Sequence, residues 1–223
     1  MSGIRVAFVL RMVDDLTGRP VRGSRFFFTS GGRILRAVRK EEGMYVFLEP
    51  QEDAVRLLAE GAGYHRREIL VRKNTLDPTD PVVHVRMYGK PDQYRSGGYE
   101  LLTGRLPEEE GRGPAEILAE RLRPVGLTFL KGQQEGGKSL LSFRGFTRED
   151  LAGRPYILGG MKEPVPFVLE ERRGINVYLA DLPGETLQNA QSGAPLIRVY
   201  RSVTDAGGAY AIPVEKGEAC RLL

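Results

Sequence analysis

The chain has 223 residues, 41% of them hydrophobic, which is enough to bury a core and too much for global disorder. Its 33 basic and 29 acidic residues give a formal charge of +4, with both signs interspersed, so the one-sided basic stripe of a nucleic-acid binder is not expected. The single cysteine, Cys220, excludes an intrachain disulfide and fits a reducing compartment.

The N-terminal apolar run Val6-Ala7-Phe8-Val9-Leu10 is too short for a spanning helix and lacks a small-residue cleavage site. It reads as a buried strand within residues 4–13, and the expectation is a cytoplasmic protein without membrane contact. Asp14-Asp15-Leu16-Thr17-Gly18-Arg19-Pro20-Val21 supplies turn residues. Further strands are predicted at Arg25–Thr29, Ile34–Val38, Met44–Leu48, Ala54–Ala59, Glu68–Val71 and Pro81–Met87, separated by Ser30-Gly31-Gly32, Glu42-Gly43 and Gly61-Ala62-Gly63. Short strands at this spacing suit a small sandwich over residues 1–90. Clusters such as Arg39-Lys40-Glu41-Glu42 and Glu170-Glu171-Arg172-Arg173 change sign within four residues and read as solvated strand ends or turns.

Residues 91–124 change character. Lys90-Pro91, Gly97-Gly98 and Glu108-Glu109-Glu110-Gly111-Arg112-Gly113 resemble linker, and Pro114–Arg123 is predicted as a short helix, opened by Pro114 and with Ile117, Leu118 and Leu122 on one face. Residues 125–223 form a second β-rich stretch. Asp15-Leu16-Thr17-Gly18-Arg19-Pro20 recurs as Asp150-Leu151-Ala152-Gly153-Arg154-Pro155. Arg36-Ala37-Val38, Gly43, Tyr45, Ala54 and Arg56-Leu57-Leu58 recur at a second constant offset as Arg201-Ser202-Val203, Gly208, Tyr210, Ala219 and Arg221-Leu222-Leu223. The two offsets differ, so the second copy carries an insertion between Pro155 and Arg201. It also stops short of the last two strands of the first copy and would expose strand edges.

The first copy resembles the carboxypeptidase regulatory-like (transthyretin-like) sandwich family through Asp15–Val21, Gly43-Met44-Tyr45 and Gly63-Tyr64 before Ile69–Val71. In the second copy, Thr204-Asp205-Ala206-Gly207-Gly208-Ala209-Tyr210 resembles the turn-plus-aromatic signature of the same family. The resemblance implies a mainly β fold of two Ig-like or transthyretin-like sandwich modules with one short linking helix. It implies a structural or binding role, because such modules are usually accessory parts of something larger.

One motif points to catalysis. Gly132-Gln133-Gln134-Glu135-Gly136-Gly137-Lys138-Ser139 has phosphate-loop spacing, in which Gly132 and Gly137 would shape the loop, Lys138 would meet phosphate and Ser139 magnesium. Leu127–Leu130 precedes it as a strand, and Asp181-Leu182-Pro183-Gly184 follows Ile175–Leu179 like a GTPase magnesium-sensing turn. A phosphate loop must open a helix, however, and Ser139–Gly145 suits a strand equally well. The competing and favoured reading is a β-hairpin turning at Gln134–Gly137.

His65 and His84, the only histidines, have no metal-ligand spacing, and Cys220 has no Cys/His motif around it. Asp14, Asp15, Glu149 and Asp150 sit at the repeated turns; paired acids can do acid–base work, but at such turns they more often cap backbone N–H groups. Tyr88, Tyr94 and Tyr99 flank the linker and would either stack on sugars or pack it down.

The expected protein is therefore a non-catalytic structural or adaptor subunit without cofactor or metal, binding protein partners or itself through strand edges of the C-terminal module. The assembly would be of the phage-tail-like or contractile-injection kind. The alternatives are a phosphate-loop nucleotide hydrolase using Gly132, Gly137, Lys138 and Ser139, and a carbohydrate-binding module; the lack of Trp counts against the last.

Overall fold

The computed structural model describes residues 6–48, 52–94, 97–107 and 114–223. Met1–Arg5 and the predicted linker stretch Glu108–Gly113 lie outside them. The described chain is mainly β and falls into two compact units, one of residues up to Asp15 and from Arg19 to Gln93, the other of Leu16–Gly18 and Tyr94–Leu223.

The first unit contains β1 (Phe8–Asp14), β2 (Phe26–Ser30), β3 (Arg33–Leu35), β4 (Val38–Arg39), β5 (Met44–Phe47), β6 (Ala54–Gly61), β7 (Arg67–Arg72) and β8 (Val82–Met87). They form two four-stranded sheets, ordered β4-β5-β1-β8 and β3-β2-β6-β7. All strand neighbours are antiparallel except β1 and β8. Every second side chain of β1 is buried, as the two-residue period of a strand demands. The core between the sheets is rich in aromatic contacts, with Phe8 stacked on Phe47 at 4.6 Å and Phe28 edge-on to Tyr45 and Phe47 at 5.0 and 5.1 Å. The Phe26 N–H donates to the Tyr45 hydroxyl (2.9 Å), a bond that runs from one sheet to the other.

The strand predicted at Ile34–Val38 is broken in two. β3 pairs only with β2 and β4 only with β5, so the chain steps between sheets at Arg36-Ala37. Strands that switch sheets make the corners of a sandwich, and here they leave both short strands at sheet edges.

The second unit contains β9 (Tyr99–Arg105), β10 (Glu116–Arg121), β11 (Leu127–Glu135), β12 (Lys138–Gly145), β13 (Arg154–Leu158), β14 (Phe167–Gly174), β15 (Val177–Ala180), α1 (Gly184–Gln188), β16 (Leu196–Val203), β17 (Ala209–Glu215) and β18 (Cys220–Leu222). Eight strands follow the order β11-β12-β15-β14-β13-β16-β10-β18. The outer side of β11 does not stay open. The Phe129 N–H donates to the Ala194 carbonyl (2.8 Å), and the Gly193 N–H to the Phe129 carbonyl (2.7 Å), so β11 returns to the segment leading into β16. The first six strands of the sheet thus close into a ring around Leu127, Leu141, Tyr156, Phe167, Leu169 and Leu196. Closure removes strand edges. The second half of β16 leaves the ring to pair with β10, and β9 pairs with β17; these strands enclose a smaller core that includes Ile117, Tyr200, Ile212 and Val214.

Two expectations change here. The predicted helix within Pro114–Arg123 is a strand, β10, paired with β16 on one side and β18 on the other. Its Ala, Glu, Leu and Arg content favours a helix, but pairing on both sides overrides propensity. Ile117 and Ala119 point into the small core, and Glu120 and Arg121 are buried in ion pairs with Arg221, Glu149 and Glu218. The α-helix found among the described residues lies instead at Gly184–Gln188. Where the repeat suggested a second sandwich short of strands, the insertion between Pro155 and Arg201 supplies β14, β15 and α1, and with β11 and β12 these complete the ring. The repeated glycines Gly18 and Gly153, with φ of 70° and 75°, lie so close that a Cβ on Gly18 would fall 2.4 Å from the Gly153 carbonyl oxygen.

Candidate partner-binding surface

The phosphate-loop spacing falls on a β-hairpin. Gln134 pairs with Ser139 and Glu135 with Lys138, leaving Gly136-Gly137 as a two-residue loop. Both glycines have positive φ, 56° and 81°, which a type I′ turn requires. No helix follows, since Lys138 opens β12. The residues that would meet phosphate and magnesium are engaged elsewhere: Lys138 ion-pairs with Glu170, and the fully buried Ser139 hydroxyl donates to the Leu182 carbonyl (2.7 Å) while accepting from the Gln134 amide (2.6 Å). Asp181 accepts from the Val168 N–H.

The other singled-out residues are dispersed. Asp15 is buried in an ion pair with Arg86 (2.6 Å), and Asp14 accepts from the Tyr64 hydroxyl (3.1 Å). Glu149 binds Arg121 (2.8 Å), and Asp150 accepts from the Ala152 N–H (3.3 Å), the turn-capping role expected of it. His65 is half-buried; burial and then the neighbouring Lys90 charge hold its pKa below the usual histidine value. His84 lies on β8, beside Arg11 of β1. Burial, followed by the Glu218 charge, pushes the Cys220 thiol up to about 11. Among the described residues no three His, Cys, Asp or Glu side chains gather as metal ligands, and no helix is long and apolar enough to cross a membrane. Tyr88 and Tyr94 are buried, Tyr94 packing edge-on against Tyr99 at 5.5 Å, so they form no exposed stacking face.

Arg198 was not anticipated. It is 1% exposed, in the second unit, and its Nη2 donates to the Leu16 carbonyl (2.7 Å) between the rings of Tyr156 and Tyr200, 5.6 and 5.4 Å away. Among the described residues its Nε and Nη1 and the Tyr200 hydroxyl have no well-aligned hydrogen-bond partner. Burial pulls the Arg198 pKa down and pushes that of Tyr156 up to about 12.

Exposed apolar side chains lie beside strand edges in the first unit. Ile34 is 77% exposed, Phe27 63% and Val38 47%. Phe27 and Ile34 line one groove of about 430 Å³ together with Arg25, Arg36 and Arg39. The groove lies at the short strands β3 and β4, each of which, among the described residues, has a partner strand on one side only. Its arginines are exposed, and among the described residues they and Arg33 have no carboxylate partner. From Leu16 to Lys40 the chain carries seven Arg or Lys residues and no Asp or Glu. That one-sided window is the signal that could have located the surface.

Comparison with known proteins finds no matching family model, no matching curated protein and no matching solved structure.

Proposed function

We propose that this protein is a non-catalytic structural or adaptor protein that binds a protein partner through exposed strand edges within a larger assembly. The observation that carries this reading is the exposure of Phe27 and Ile34 together at the edge strand β3, with Val38 exposed separately on the edge strand β4. Large exposed apolar side chains beside open edges are what a docking surface supplies and what an isolated sandwich avoids. This shifts the expected contact from the C-terminal half to the first unit, where the edges are accompanied by apolar surface. The turns Asp15–Val21 and Gly43–Tyr45 support a kinship of the first unit with carboxypeptidase regulatory-like accessory modules. A phage-tail-like or contractile-injection particle is the kind of assembly envisaged, on fold-level analogy.

The test is site-directed photo-crosslinking in the native host, with the reactive residue at position 34 and, as a control, at the still more exposed Ile175 of the second unit, which is 85% exposed. A defined protein adduct at 34 and none at 175 is expected. A monomer by light scattering with no adduct at 34 refutes the reading.

A further inference from the structure

The groove at β3 and β4 combines three properties in one place. It has two short edge strands whose outer sides pair with no strand among the described residues. It has exposed Phe27 and Ile34. It has Arg25, Arg36 and Arg39, with Arg33 beside them on β3, and no acidic residue in the chain from Leu16 to Lys40. Free strand edges accept an extended peptide by main-chain hydrogen bonds, with alternate side chains providing selectivity. A cluster of arginines without carboxylate partners attracts negative charge and repels positive.

We infer that this groove receives an extended acidic segment of a partner protein, added as a strand along β3, with apolar side chains against Phe27 and Ile34 and carboxylates against Arg25, Arg36 and Arg39. The inference rests on the adaptor reading and names the chemistry of the partner. A nucleic acid would use the arginines but would leave the strand edge unpaired and Ile34 unmatched, so a peptide accounts for more of the surface.

The experiment measures fluorescence anisotropy of labelled peptides on the full chain. One peptide alternates Glu with Val, a second alternates Lys with Val, and an oligothymidine serves as the nucleic-acid arm. The Glu–Val peptide binds and the Lys–Val peptide does not. Binding weakens between about 50 mM and about 300 mM salt, because exposed charges are screened over that range. Reversing two exposed charges with Arg36→Glu and Arg39→Glu weakens it by about tenfold or more. Ile34→Thr, which keeps a β-branched residue on the strand, weakens it several-fold and remains informative if the charge-reversed protein loses its far-UV signature.

Absence of Glu–Val binding, or binding unchanged in these variants, overturns the inference. Oligothymidine binding with the same arginine dependence overturns it in favour of nucleic acid. If the position-34 adduct persists while the peptide fails, the partner class is wrong and the adaptor reading survives.

Discussion

Replacing Ser139 by Ala removes a hydroxyl that is wholly buried and makes two hydrogen bonds, one donated to the Leu182 carbonyl (2.7 Å) and one accepted from the Gln134 amide (2.6 Å). Gln134 is exposed and its amide returns to water at little cost. Leu182 is buried, so its carbonyl loses a donor that water does not readily replace. Leaving a buried acceptor unsatisfied costs about 2 kcal/mol, roughly a thirtyfold change in the folded-to-unfolded ratio. For a unit of this size that lowers the melting midpoint by roughly 5 to 10 °C. Lys138→Ala removes a partly exposed ion pair with Glu170, with side-chain exposures of 44% and 28%, and costs less than about 1 kcal/mol. Urea unfolding followed by far-UV circular dichroism and tyrosine fluorescence measures both; the chain has nine Tyr and no Trp. The hairpin account is refuted if Lys138→Ala costs as much as Ser139→Ala. It is refuted equally if magnesium–nucleotide raises the wild-type midpoint and Lys138→Ala abolishes that rise.

With its thiol pushed up to about 11, Cys220 holds on the order of a hundred times less thiolate at pH 8 than an unperturbed cysteine, an effect partly offset because a more basic thiolate is the better nucleophile. Alkylation of the native protein should be slower than that of the urea-unfolded chain by about tenfold, and equal rates would show an open thiol. Because the His65 pKa is held below its unfolded value, the unfolded chain takes up the proton first as pH falls. His65 therefore leaves stability intact above the unfolded value near 6.5 and withdraws it as pH falls through the folded value. Wild type should lose stability relative to His65→Gln across that interval, and parallel pH profiles would contradict this. Arg198→Met removes a buried charge whose Nε and Nη1 lack well-aligned partners, whereas Arg198→Lys keeps the charge and loses the planar fit between Tyr156 and Tyr200. Lys should be the more destabilising of the two in chemical denaturation; the reverse order would mean that the charge itself is needed.

The strands of the first unit are legible because alternation and turn residues agree locally. The burial pattern of β1 follows its sequence position by position, and Gly31-Gly32 and Glu42-Gly43 mark turns where backbone φ is positive. The Gly136-Gly137 turn is legible for the same reason. β10 was not, since its two neighbours β16 and β18 lie about eighty and a hundred residues further along, and a local composition rich in Ala, Glu and Leu carries no trace of them. Ring closure is hidden likewise, because it depends on the segment at Gly193-Ala194 meeting Phe129. Arg198 was hidden in another way: a charged residue in an alternating strand reads as solvent-facing until the packing on that face is known. The groove is hidden in the net charge of the whole chain and in its four-residue clusters, because the imbalance spans Leu16–Lys40.

The division of β16 between two cores has a consequence for register. Leu196 faces the ring core and Tyr200 the small core, along the same face of one strand, with Arg198 between them. A slip of one residue would turn all three away together. The pairing of Tyr156, Ile157 and Leu158 with the first half of β16 therefore also aligns its second half, and with it the strand positions that β10 and, through β10, β18 must match. The C-terminal residues therefore take their alignment, through β16 and β10, from a ring in which they have no part.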